Sequence, residues 1–246
     1  MSSVGPILLS DQMAMQRAVD VVANNIANSS TMGFKRQGVL FETYISRQTP
    51  SQSTAYVYDR ETYRDLTPGT ISSTGNPLDL AIQGTGYFQI QTPKGVQYTR
   101  DGTFHTDNQG QIVTSSGLPV LDEGGQAMTV PEDATDIVIS RDGFVTVQSG
   151  TGTSRAELGK LGLVTFGNEV ALSPTEGNLL ATSQTATPVE DAVVIQGAIE
   201  DSNVNPIVEI TNLIQIQRAY ERAANLVSQD DSRISNAIDV LSKTTI

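Results

Sequence analysis

Two narrow apolar seams, one at each end of the chain, constrain this sequence more than anything between them. At the N-terminus Leu8, Gln12, Met15, Val19, Val22 and Ile26 step by four and three residues in turn. A helix over residues 7–28 carries them on one face, with only Gln12 polar. At the C-terminus Ile210, Leu213, Gln217, Tyr220, Ala224, Val227, Asp231, Ile234, Ile238 and Leu241 step by three and four without a break over residues 207–241. That second helix spans roughly 50 Å. The chain offers only the first helix to cover it. The seams therefore predict a helix pair that hides part of its apolar surface inside the chain and the rest against other copies.

The helix ends are marked locally. Ser10 and Asp11 are candidate caps for the first helix, and Gly33 is a candidate stop beyond it. Pro206 fits the first turn of the second helix, where its missing N–H does no harm, with Asn203 or Asn205 as cap. Asn24, Asn25 and Asn28 crowd the end of the first helix. They either fray and cap that end, or their amides bond a neighbouring subunit and fix register, a use that buried polar residues have in helical seams.

Between the ends the period changes to two. Leu78–Ile82, Tyr87–Ile90, Ile137–Ile139, Phe144–Val147 and Leu161–Val164 are short β-like runs, separated by Asn76-Pro77, Asp101-Gly102, Asn108-Gln109-Gly110 and Asp142-Gly143. Asp-Gly suits the positive φ angles of tight hairpins. The reading is α+β: N- and C-terminal helices pairing as a coiled-coil-like stalk, and a central antiparallel β domain of barrel or sandwich type. The expected segments are 1–34 (N-terminal helix), 35–75 (extended connection, with a linker at Thr49–Ala55), 76–200 (β domain) and 201–246 (C-terminal helix).

Composition removes several functions. With no cysteine there is no thiol nucleophile, disulfide or thiolate metal site, and the single histidine, His105, rules out a site built on several imidazoles. The net charge of -12 disfavours nucleic acid and anionic lipid as partners. Residues 51–196 hold 17 acids and 7 bases, so the middle suits the outside of an assembly, while the near-neutral ends suit close packing. No run is apolar for the ~20 residues a membrane helix needs, and the N-terminus has no signal-peptide pattern, so no membrane insertion and no cleavable signal are expected. Asp101, Asp107 and Asn108 near His105 lack calcium-loop spacing and read as a solvated turn. Gly84 and Gly86 sit where a phosphate loop would need a helix to follow, and none does. No catalytic, cofactor-binding or metal site is expected, and no cofactor. An enzyme acting on peptidoglycan through acids of the middle, or a secreted adhesin with helical ends, are the alternatives.

The words of the sequence also resemble a known family. Val22-Ala23-Asn24-Asn25-Ile26-Ala27-Asn28 followed by Thr31-Met32-Gly33-Phe34-Lys35 is similar to the N-terminal signature of the bacterial flagellar rod and hook proteins. Asn76-Pro77-Leu78-Asp79-Leu80-Ala81-Ile82 with Gly84 and Gly86-Tyr87-Phe88, then Tyr98-Thr99-Arg100-Asp101-Gly102, resembles that family's entry into its β domain. Ser202-Asn203-Val204-Asn205-Pro206 and Gln217-Arg218-Ala219-Tyr220-Glu221 resemble its C-terminal signature. The length and the run Val39–Tyr44 point to a proximal rod subunit, with the distal rod next. The resemblance implies a non-enzymatic subunit of the periplasm-spanning rod of the basal body. Such a subunit is exported unfolded by the flagellar type III apparatus and partnered by other rod proteins and copies of itself. Its assembly residues would be Leu8, Met15, Val19, Val22, Asn24, Asn25, Ile26, Asn28, Ile210, Leu213, Gln217, Tyr220, Ala224, Val227, Ile234, Ile238 and Leu241.

Overall fold

Pro6 decides where the first helix starts. Its ring is tolerated in an opening turn, and α1 (Val4–Ala27) begins there, upstream of the Ser10–Asp11 pair expected to cap it. In this computed structural model residues 4–49, 52–149, 155–189 and 192–243 are described, with side chains for 9–41, 61–149, 155–189, 192–236 and 239–240. The helix closes on its asparagines: the Asn28 N–H and its side-chain amide both donate to the Asn24 carbonyl, at 3.1 and 2.9 Å. The long C-terminal helix, α2 (Pro206–Lys243), starts with Pro206 in its first turn. Asn205 is its cap, its Oδ1 accepting from the Ile207 and Val208 N–H groups at 3.1 and 3.4 Å.

The chain divides into two compact units. One is built from Met1–Asn28, Arg36–Asp65 and Val204–Ile246, the other from Ser29–Lys35 and Leu66–Asn203.

In the first unit α1 packs on α2 and on a long hairpin, β1 (Gln37–Thr49) and β2 (Gln52–Arg64). The hairpin differs from the linker expected at Thr49–Ala55. Gln37 pairs with Arg64 and the antiparallel register continues out to Thr49 with Gln52, with bulge-like shifts at Leu40/Phe41 and Arg47/Thr49. The Ser/Thr/Gln composition that suggested a loop is carried by the ladder, because the cross-strand hydrogen bonds are made by backbone groups whatever the side chain.

The second unit is β-rich, and every strand pairing described in it is antiparallel. Its largest sheet orders the strands Ser173–Pro174, Leu180–Ala181, Gly95–Thr99, Tyr87–Thr92, Leu163–Thr165 and Thr187–Pro188. A three-stranded sheet joins Arg155–Lys160, Phe144–Ser149 and Ala134–Ile139. The strand Tyr87–Thr92 is buried on one face along its length and on the other at Tyr87. Phe88 and Ile90 enter the main core with Leu80, Ile82, Val145 and Val147, while Tyr87 joins Tyr98, Val164 and Phe166 in a second cluster. Phe88 meets Phe104 edge to face at 5.1 Å between ring centroids, a favoured aromatic geometry. The class is α+β, as the periodicity predicts.

Two similar turns in this unit use glycine for different reasons. Gly143 sits at φ +87°, the left-handed region expected for an Asp-Gly hairpin. Gly102 does not: a Cβ there would fall 1.7 Å from the Leu80 carbonyl oxygen. Close backbone approach, made by the Leu80 N–H donating to the Gly102 carbonyl at 2.9 Å, is what demands glycine there.

Candidate functional site

The helix pair of the first unit is the candidate assembly surface, and the buried face of each helix is not the stripe with the bulkiest residues. On α1 Ala14, Val21, Val22 and Asn25 are buried and Ala18 half-buried. On α2 Glu209 and Ala223 are buried, with Asn212, Leu213, Ile216 and Ala219 half-buried. The helices run antiparallel, since Asn25 meets Glu209 while Ala18, Val21 and Val22 share a hollow with Asn212, Gln215 and Ile216. Small residues on the facing sides allow close approach of the axes.

Residues expected on the seam are therefore divided. Val22 and Asn25 are buried. Met15, Val19, Ile26, Asn28, Leu213, Ala224 and Val227 are half-buried. Asn24, Ile210, Gln217, Tyr220 and Ile234 are exposed. The side chains of Leu8, Ile238 and Leu241 lie outside the described residues, although their backbone is helical. Packing within the chain uses an alanine-rich stripe about one residue earlier on each helix than the seam that the three-and-four spacing marks.

A polar knot sits in that packed face. Asn25 is fully buried, and its Oδ1 accepts from the Gln37 N–H at 2.8 Å. Its amide donates to the Gln37 carbonyl at 2.8 Å and to Glu209 Oε2 at 3.2 Å. Arg36 Nε donates to Glu209 Oε1 at 2.7 Å. The hydrogen bond that Arg36 donates to Glu209 raises the Arg36 pKa, against the opposing effect of burial. Asn25 thus ties α1, β1 and α2 together inside one chain. Sequence reasoning named Asn25 but not Arg36 or Glu209. The available signal was a glutamate in the first turn of α2, between Val208 and Ile210 in an otherwise apolar run.

The second unit holds a buried ion cluster that the sequence did not reveal. Glu200, 2% exposed, accepts from Lys35 Nζ at 2.5 Å, the Gly69 N–H at 3.0 Å and Arg100 Nε at 2.7 Å. Burial works to raise its pKa. The charge of Arg100, with hydrogen bonds from Lys35, Arg100 and Gly69, outweighs burial and holds it below the ordinary carboxylate value. The rest of the Arg100 guanidinium donates to the carbonyls of Gly86, Ile82 and Gly84 at 2.5, 3.1 and 2.5 Å. The Gly84–Gly86 loop therefore presents carbonyls to a cation, the opposite polarity to a phosphate cradle. Lys35 belongs to the segment after α1, where the Gly33 N–H donates to the Glu200 carbonyl at 2.7 Å and the Asn178 amide donates to the Met32 carbonyl at 2.7 Å.

Elsewhere the acidic turns are closed on themselves. Asp107 Oδ1 accepts from the Gln109 and Gln111 N–H groups at 2.8 Å each, and Asp101 Oδ1 from the Thr103 N–H and hydroxyl at 3.0 and 2.7 Å. His105 is exposed on the strand Phe104–Thr106. Among the described residues no group of acids and histidine is arranged to hold a metal ion, and no helix is long and apolar enough to cross a membrane.

Comparison with known proteins covers the same regions. Residues 8–35 match the family model described as flagella basal body rod protein. Residues 81–147 match the flagellar hook protein FlgE/F/G D1 domain, and residues 195–240 the flagellar basal body rod FlgEFG protein C-terminal region. The chain is 38% identical over 242 residues to the flagellar basal-body rod protein FlgF of Caulobacter vibrioides, covering 96% of each. It is 37% identical over 238 residues to FlgF of Mesorhizobium japonicum, again covering 96% of each. It is 38% identical over 245 residues to the basal-body rod protein FlgG of Buchnera aphidicola subsp. Acyrthosiphon pisum, covering 90% of this chain and 93% of that protein. With family matches in α1, in the β-rich middle and in α2, and with relatives this similar along nearly its whole length, the chain belongs to the flagellar basal-body rod and hook protein family.

Proposed function

We propose that this protein is a structural subunit of the flagellar basal-body rod, of the proximal FlgF type, and that it assembles through its terminal helices. It works by packing and catalyses no reaction. One observation carries the reading. After α1 and α2 have packed on each other, Ile210, Tyr220 and Ile234 of the C-terminal seam remain exposed, and so do Leu9 and Met13 on α1. A row of large apolar side chains at helical spacing is covered when helices of neighbouring subunits pack together as a coiled-coil-like stalk. The β-rich unit, barrel- or sandwich-like, carries most of the acidic charge and faces outward. Stiffness under torque follows from long helices in close contact with several neighbours. Partners are other rod proteins and further copies, reached after export through the flagellar type III apparatus without a cleavable signal, and the site of action is the periplasm-spanning rod.

The similarity to FlgG proteins favours a distal rod or hook-type position as the second reading. Basal bodies isolated from cells carrying a tagged copy decide between them. A tag at the base of the rod, and loss of motility in the gene deletion restored by the wild-type chain, support the proximal assignment. A tag along the distal rod supports the second. Normal motility in the deletion rejects both.

A further inference from the structure

We propose that residues 29–35 form a releasable strap. The strap docks on the rest of the β-rich unit through polar fasteners, with the Lys35–Glu200 pair as its latch, and it lifts as one piece while that unit stays folded. The step takes place inside one chain and is independent of the assembly surface. Residues 29–35 cluster with the β-rich unit, although the residues on both sides of them, Asn28 and Arg36, belong to the other. In chain order the strap follows α1 and precedes β1. Sequence words that stand far apart meet on it: Lys35 of the Thr31–Lys35 run and Arg100 of the Tyr98–Gly102 run share Glu200, and Arg100 also donates to the carbonyls of Gly84 and Gly86.

The fasteners are hydrogen bonds and one ion pair. The Met32 carbonyl accepts from the Asn178 amide at 2.7 Å, and the Gly33 N–H donates to the Glu200 carbonyl at 2.7 Å. Lys35 Nζ donates to Glu200 Oε1 at 2.5 Å and to the Thr67 carbonyl at 2.9 Å, and the Phe34 carbonyl accepts from the Asn203 N–H at 3.4 Å. Met32 and Phe34 are half-buried, and no residue of 29–35 belongs to either apolar cluster of the unit. Segments with few buried apolar contacts open locally, at a free energy below that of global unfolding. The receiving side is complete without the strap. Arg100 holds Glu200 Oε2 at 2.7 Å and is itself fixed by the carbonyls of Ile82, Gly84 and Gly86, while the Gly69 N–H donates to Glu200 Oε1 at 3.0 Å. Breaking a buried pair is costly mainly because it strands a charge. Here Glu200 keeps Arg100 and Gly69 when Lys35 leaves, and Lys35 departs into water, so the latch opens without an orphaned ion.

Hydrogen exchange of the full-length protein, read at single amides by NMR in increasing low concentrations of urea, tests the strap. Gly33 reports on it. Leu121, 2% exposed with its N–H bonded to the Gln89 carbonyl at 2.9 Å, reports on the core. In the wild-type protein Gly33 is expected to exchange at least about 100-fold faster than Leu121 and with a weaker dependence on urea. Lys35→Ala is expected to speed Gly33 exchange a further tenfold or more, about 1.4 kcal/mol, while Leu121 changes less than about twofold. Added n-propylammonium, which replaces the lost methylenes and ammonium, slows Gly33 exchange again in Lys35→Ala; tetramethylammonium, with no N–H to donate, does not. Equal rates and equal urea dependence at the two amides of the wild-type protein overturn the proposal, and that comparison needs no variant to fold. Gly33 exchange unchanged by Lys35→Ala overturns it as well, because Lys35 is then no latch.

Discussion

Asn25 and Glu209 lie 184 residues apart in sequence and 3.2 Å apart in space, buried side by side where α1 and α2 meet. Each depends on the other. The Asn25 amide and Arg36 satisfy the buried Glu209 carboxylate, and Glu209 in turn gives the buried Asn25 and the half-buried Arg36 a partner. Removing either residue leaves a buried polar group unmatched. Asn25→Ala is expected to destabilise the helix unit by about 1–3 kcal/mol, and Glu209→Leu by about 1–3 kcal/mol, because the buried Asn25 amide loses an acceptor and the half-buried Arg36 loses its carboxylate. Urea unfolding followed by helical circular dichroism measures both. A change under half a unit for Glu209→Leu contradicts the knot.

Acid should unfold the β-rich unit through Glu200. Its folded pKa lies below the ordinary value of 4.5, so near and below that pH the unfolded chain binds more protons. The stabilisation is therefore complete above the unfolded pKa and disappears as pH falls through the folded one. Glu200→Gln loses that stabilisation at neutral pH, leaving Lys35 and Arg100 without their carboxylate, and it lacks the acid slope. Thermal unfolding from pH 7 to pH 3 should bring the two proteins' melting temperatures together. Parallel curves would show that Glu200 is not the titrating group.

Gly102→Ala tests close approach. A Cβ at 1.7 Å from the Leu80 oxygen forces the two segments apart. The expected loss is at least about 3 kcal/mol, the range of severe core strain, read from the urea midpoint of the isolated protein. Gly125→Ala, with a positive φ but nothing within 4 Å of the new carbon, is the milder comparison, at about 1 kcal/mol.

The two stripes of α2 separate folding from assembly. Ala223→Leu adds volume inside the helix pair and should cost about 1–3 kcal/mol of stability. Ile214→Asp changes an exposed position and should leave stability within about 0.5 kcal/mol while abolishing motility in a complementation assay. Motile cells carrying Ile214→Asp would remove this stripe from the assembly surface.

The sequence by itself determined what depends on neighbours along the chain. Apolar spacing of three and four residues marks both helices, Asn205 with Pro206 marks the start of α2, and period-two runs broken by Asp-Gly mark the β-rich middle. Only the tertiary structure decided which helix stripe is buried, because facing alanines allow a closer approach than the isoleucines that dominate the pattern. It also decided that Asn25 is bonded within the chain, that Glu200 and Glu209 are buried with cations, and that Gly102 is required by a carbonyl from Leu80 and not by its own φ. Those are contacts between residues far apart in sequence, and no local spacing records them.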